Sequence, residues 1–221
     1  LIKFKVQAFK IGSGECNNYP LVSYIASFKK PVIISTGMND LKSIKKAIKI
    51  LKKNKVKCAI LHTTNLYPTP HNLIRLNALN EIKKNFPKTV YGLSDHTGEN
   101  YTSFAAVAMG ASIVEKHFID KSSRKGPDIS ASVNSNQMRD LLHGVELIHQ
   151  AKPGGIKPVK EENKTAEFAF ASVVSNRDIQ SGEILSKRNI WVRRPGTGDF
   201  SAEDYPSLIG KKLKKNIKKN T

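Results

Sequence analysis

VYGLSDHTGENYTSFAAVAMGASIVEKHFI (90–119) decides how this chain is read. Two strand-like runs, VYGLSDHT (90–97) and ASIVEKHFI (111–119), end on His96 and His117, and a helix-like stretch near 99–109 separates them. A strand, a helix and a second strand in that order make a parallel pair, because the helix carries the chain back to the starting end. Parallel βα proteins collect side chains from the ends of separate strands into one site. Two imidazoles delivered to one rim form a candidate divalent-metal pair. Ser, Thr, Asn and Lys side chains on neighbouring strand ends would hold an anionic substrate beside it.

The same rhythm runs outward through the first 150 residues. Strands are predicted at 9–12, 32–36, 58–62, 90–94 and 111–116, short and rich in Val, Ile, Ala or Leu, as strands covered on both faces are. Helices are predicted near 18–28, 40–54, 73–86, 99–109 and 135–150. In the second, Leu41, Ile44, Ala47, Ile48 and Leu51 make one apolar stripe opposite the lysines, with Asn39 or Asp40 as its cap. Nearly every strand ends on polar residues, which favours a barrel with functional groups on many strand ends over an open sheet with a single switch point. A (β/α)8 barrel takes about 250 residues. The fold expected is therefore α/β, the last five units of a TIM barrel over 1–150, with about three N-terminal units outside the chain. AKPGGIKPVKEENKTAE (151–167) reads as a linker. Residues 168–221 read as a small, mostly β module whose C-terminal end is cut short.

Composition narrows the function classes. The chain has 221 residues, 39% of them hydrophobic and 25% charged, which suits a folded domain and not a disordered one. No apolar run approaches the ~20 residues of a membrane-spanning helix. Cys16 and Cys58 are the only cysteines, too few and too far apart for a disulfide framework or a thiolate zinc site, and they fit free thiols in a cytoplasmic protein. The net charge of +19 raises the alternative of a basic polyanion-binding protein. Its distribution argues against nucleic acid or membrane as partner. Eight lysines fall in 42–57 and six in 211–221, without the interleaved arginines and aromatics of a nucleic-acid groove.

Several smaller motifs carry two readings each. GSGE (12–15) lets backbone amides approach an anion, or is a tight turn. STG (35–37) is a weaker signal of the same kind. His62 sits near a strand end as a third candidate ligand, whereas His71, His143 and His149 fall in surface settings. Asp128 in GPD (126–128) could bind a sugar hydroxyl, act as a base, or cap the next helix. Arg194 in RRPGTGD (193–199) could clamp an anion, or lie on a surface turn.

FKIGSGECNNYPL, PVIISTGM, LHTTNLYPTP, GLSDHT, IVEKHF and GPDISAS, in this order and spacing, resemble the sialic acid synthase family, with the bacterial N-acetylneuraminate synthases nearest. FAFASVV, GEIL, WVRRPGTGDFS and LIGKK resemble its C-terminal SAF, or antifreeze-like, domain. The resemblance implies a TIM barrel joined to a β-clip module. The implied reaction is a metal-dependent condensation of phosphoenolpyruvate with N-acetylmannosamine, giving N-acetylneuraminate and phosphate. It implies a divalent ion, manganese above others, on His96 and His117. Lys10, Ser13, Ser35, Asn65 and Ser94 take the phosphoenolpyruvate-binding positions. Glu15 and Asp128 are the acid–base candidates on the sugar side, with Tyr67 and Phe168 beside the sugar. Arg194 reaches the partner's site in a domain-swapped homodimer. Sister synthases making legionaminate or pseudaminate share these motifs. The family's first three strands supply an early glutamate, a second lysine and a threonine that this chain lacks, so the 221 residues alone are expected to be inactive. An ice- or carbohydrate-binding role for the β module alone would leave the βα units without purpose.

Overall fold

A computed structural model describes residues 2–121 and 123–221. The chain divides into two compact units, Leu1–Pro153 and Gly154–Thr221.

In the first unit β1 (Phe9–Ile11), β2 (Val32–Ser35), β3 (Cys58–Thr63), β4 (Val90–Asp95), β5 (Ile113–Phe118) and β6 (Ser132–Val133) form one sheet in chain order. Every neighbouring pair is parallel. The sheet curls into a half-barrel. Between the strands lie α1 (Tyr19–Ser27), α2 (Leu41–Lys53), α3 (Ala78–Asn85) and α4 (Tyr101–Ala108), and α5 (Ser135–Ala151) follows β6.

Alternation along the strands sorts the side chains onto two faces. Phe9, Ile11, Val32, Ile34 and Ile60 form the helix-facing side and share one core with Val22 and Ala26 of α1 and Ile44, Ala47, Ile48 and Leu51 of α2. Each buried Ile or Leu contributes about 1.5–3 kcal/mol by leaving water. The opposite face carries Lys10, Ser35, Thr63, Ser94, Glu115 and His117, whose positions follow from the register Ser35↔Leu61, Thr63↔Ser94 and Ser94↔Glu115. The polar residues noted at strand ends therefore gather on the concave side.

Helix α2 runs as its periodicity predicts, with the Asp40 side chain accepting the Ser43 N–H at 2.7 Å. Helix α5 is closed by a capping box of Asn134 and Gln137. Three elements differ from expectation. The fifth strand runs from Ile113 through Phe118, two residues later at each end than predicted, after a turn at Met109 and Gly110, the glycine at φ +101. His117 is thus inside the strand. GPDISAS ends in β6, which pairs with His117 and Phe118, so the sheet has six strands where five units were read. A strand of two residues has no periodicity to betray it. The stretch read as a linker contains the start of a short helix, α6 (Asn163–Ala169).

In the second unit β7 (Ser172–Ser175) pairs antiparallel with β8 (Ile190–Arg193). Isolated bridges join Ile179 to Ile217 and Ile184 to Lys212. Ile179, Leu185, Ile190 and Leu208 make its core, Leu208 coming from the short helix α7 (Tyr205–Leu208). No helix among the described residues is long and apolar enough to cross a membrane.

Candidate active site

His96 and His117 converge. Their ring centroids lie 5.2 Å apart, edge to face, and Tyr67 packs on both, stacked on His96 at 4.3 Å and edge-on to His117 at 5.5 Å. His96 follows β4 and His117 lies in β5, so parallel pairing of these strands delivers both rings to one rim. His96 is 6% exposed, and its Nδ1 donates to the Thr64 carbonyl at 2.9 Å. A carbonyl only accepts, so Nδ1 carries the proton and Nε2 keeps its lone pair. Burial pulls the His96 pKa down, against the opposing pull of that hydrogen bond, and keeps the ring neutral, the ligand form. His117 Nδ1 lies 3.8 Å from Asp128 Oδ2.

A polar chain runs beside the imidazoles. Glu115 Oε1 accepts from Lys10 Nζ at 3.1 Å and from Ser94 Oγ at 2.6 Å. Ser94 Oγ also lies 3.5 Å from His96 Nε2. Its proton is engaged by Glu115, which leaves that nitrogen without a donor. Glu115 was not singled out in the sequence. The signal was available, because a residue two before His117 on a strand shares its face. Burial, then the carboxylates of Asp128 and Glu115, push the Tyr67 hydroxyl pKa up, so it remains a donor at neutral pH.

The ends of β1, β2 and β3 contribute Ser13, Ser35 and Asn65. Ser13 Oγ accepts the Gly37 N–H at 3.0 Å. Gly37 earns its place by close approach: a Cβ there would stand 2.1 Å from Asn65 Oδ1 and 2.7 Å from Thr63 Cγ2. Ser35 Oγ and Asn65 Oδ1 are buried without a hydrogen-bond partner. Such atoms are rare in a folded chain.

Other predicted residues fall elsewhere. Glu15 accepts from Asn18 Nδ2 at 2.7 Å and makes no hydrogen bond to the histidine cluster. His62 is not a third ligand beside the pair: it points to the helix side of β3, where its Nε2 donates to the Ile74 carbonyl at 2.7 Å. The even position in the strand, one off Thr63, sets that direction. Phe168 and Arg194 belong to the second unit, both exposed, with Phe168 71% exposed.

A neutral His96 with an open Nε2, beside a second imidazole, suits a divalent ion that takes its remaining ligands from oxygen. Among the described residues no group of three or more His, Cys, Asp or Glu has metal-holding geometry. A curled parallel sheet of six strands with this set on its concave rim is a βα half-barrel whose strand ends gather polar side chains.

The NeuB family matches residues 1–157, and the SAF domain matches residues 170–221. The chain belongs to the NeuB family and carries a SAF domain. It is 39% identical to N,N'-diacetyllegionaminic acid synthase of Campylobacter jejuni, an alignment covering 97% of this chain and 65% of the relative. It is 32% identical to a pseudaminic acid synthase of the same species, over 99% of this chain and 63% of the relative. The crystal structure of N-acetylneuraminic acid synthetase from Leptospira borgpetersenii superposes with a TM-score of 0.71 at 28% identity, over 76% of this chain and 59% of that one. The chain thus spans a little under two thirds of the length of these curated relatives.

Proposed function

We propose that this chain carries the metal-binding and phosphoenolpyruvate-binding part of a nonulosonic acid synthase. The reaction is condensation of phosphoenolpyruvate with N-acetylmannosamine to N-acetylneuraminate and phosphate. The observation that carries the reading is the meeting of His96, His117 and Tyr67 beside the Lys10–Glu115–Ser94 chain on one concave rim.

A divalent ion, manganese in this reading, would be held by His96 and His117 and would supply Lewis acidity toward the aldehyde oxygen of the open-chain sugar. Lys10 offsets the charge of the enol phosphate; to do so it exchanges its ion pair with Glu115 for the ligand. The hydroxyls of Ser13, Ser35 and Ser94 and the Nδ2 group of Asn65 bind phosphate and carboxylate oxygens, supported by the unpartnered Ser35 hydroxyl. The methylene carbon of phosphoenolpyruvate forms a bond to the aldehyde carbon. Water adds at the enol carbon, and phosphate departs by C–O cleavage. Asp128, beside His117, is the better placed proton carrier, since Glu15 is engaged by Asn18. Arg194 acts at a partner copy's site in a domain-swapped dimer, Phe168 lies beside the sugar, and the enzyme works in the cytoplasm.

A legionaminate synthase is the second reading, favoured by the 39% identity to the Campylobacter relative. The chemistry is shared and the sugar differs. A phosphate-release assay with each sugar separates them, using the chain alone and the chain co-expressed with the third of the Campylobacter relative that it does not span. Release that needs both phosphoenolpyruvate and one sugar, and is lost in His96→Ala, supports the proposal. Absence of release from the completed protein with every sugar counts against it. The chain alone is expected to release none.

A further inference from the structure

The two imidazoles stand just past the point where their strands stop holding each other. The last registered pair between β4 and β5 is Asp95 opposite Lys116. His96 lies beyond the end of β4, and His117 turns to pair with Ser132 of β6. No backbone rung between β4 and β5 fixes the spacing at the histidines themselves.

What occupies that last rung is a buried ion pair. Lys116 Nζ lies 3.3 Å from Asp95 Oδ2, with side chains 1% and 0% exposed. Asp95 accepts four further hydrogen bonds: from the Thr97 N–H at 2.9 Å, Thr97 Oγ1 at 2.8 Å, Thr102 Oγ1 at 2.6 Å and Ser103 Oγ at 2.7 Å. Lys116 donates to the carbonyls of Thr97 at 2.6 Å and Glu99 at 2.8 Å. The loop after His96, the head of α4 and the strand bearing His117 are therefore tied at one point. That point is on the helix-facing side of the sheet, one residue before each histidine. A buried charge pair with its hydrogen bonds filled is directional and rigid, unlike an apolar contact that tolerates sliding.

We propose that Asp95 and Lys116 are positioning residues, a clamp that sets the separation and mutual orientation of His96 and His117. The spacing stands on geometry alone; its consequence for metal affinity rests on the functional reading above. The clamp touches neither substrate nor ion and acts through the backbone that carries the two rings.

The test uses the 221-residue chain with Asp95→Asn and Lys116→Met, each verified as folded by near-ultraviolet circular dichroism at the temperature of measurement. The first readout is the nuclear Overhauser contact between the His96 and His117 ring protons in metal-free protein. The second is Mn2+ affinity, from the electron paramagnetic resonance of free Mn2+ with the metal alone as probe. The clamp predicts a weakened ring contact in both variants and a loss of Mn2+ affinity of about tenfold to a hundredfold, as for outer partners of metal ligands. A purely structural pair would lower the melting temperature and leave both readouts of the folded variants unchanged, and that result overturns the proposal. If neither variant folds, Ser103→Ala, which removes one hydrogen bond from Asp95, replaces them: a weakened ring contact supports the clamp, and an unchanged one overturns it. If the wild-type chain shows no Mn2+ binding that depends on His96, the functional reading fails and the ring contact alone decides the clamp.

Discussion

His62 and His96 are both buried imidazoles held by backbone carbonyls, and burial lowers both pKa values. A histidine whose folded pKa is depressed binds its proton more readily when unfolded. Its contribution to stability is present above the unfolded value of about 6.5 and is lost as pH falls toward the folded value. Urea titrations should therefore show stability declining below about pH 6.5, with a shallower decline in His62→Gln, which cannot take up that proton. A decline of identical slope in the variant would exclude His62 as a source. Asp95 acts at lower pH. Burial alone would raise its pKa, but Lys116 and the hydroxyls of Thr102 and Ser103 outweigh burial and hold it below the usual carboxylate range. Its support persists to acid pH and disappears only as pH falls through that depressed value. Removing one partner of the pair strands a buried charge, so Lys116→Met should cost about 3–5 kcal/mol at neutral pH. Burial pushes the Cys16 thiol up to about 11. Cys16 should resist thiol reagents at pH 8 in native protein and react promptly in denaturant; prompt native labelling at that position would contradict its burial.

At the scale of elements, α2 shows which parts of the fold are local. Its apolar stripe and its cap were both legible, because a 3.6-residue period and an Asp before the first turn need no tertiary information. Asp40→Ala should lower stability by about 1 kcal/mol, through the lost bond to Ser43 N–H, and Ile48→Ala by about 2–5 kcal/mol, through the cavity left in a sealed core. Equal effects of the two in denaturant titrations would mean that α2 is not anchored as described. The ends of β5 and the existence of β6 were not legible. Where a strand stops depends on its neighbour's register, and a two-residue strand exists only because His117 and Phe118 present their backbone to it.

Over the whole molecule, charge and fold pull toward different readings. Between Asp40 and Glu81 the sequence holds no carboxylate, and lysines cover the outer side of α2, so a net charge of +19 meets any polyanion with attraction. Lysines spread on a helix exterior give binding that is electrostatic and unspecific. Affinity for duplex DNA should be weak and should vanish as salt rises to the physiological range, measured by fluorescence anisotropy. Retention of tight, sequence-dependent binding there would revive the polyanion alternative. The enzyme reading instead draws on the concave face, where uncharged and charged polar groups from five segments meet.

The sequence alone determined the class of the fold and the family, through alternating strand and helix periods and six ordered motifs. It also identified the two histidines, because both close strand-like runs that parallel pairing must bring together. Only the tertiary structure decided which neighbours count. It turned His62 to the helix side, engaged Glu15 with Asn18, and brought in Glu115 between Lys10 and Ser94. These outcomes depend on strand register and face, and a shift of one residue exchanges the two faces. Local sequence encodes the period of an element, whereas the identity of the residue opposite is set only when the strands have paired.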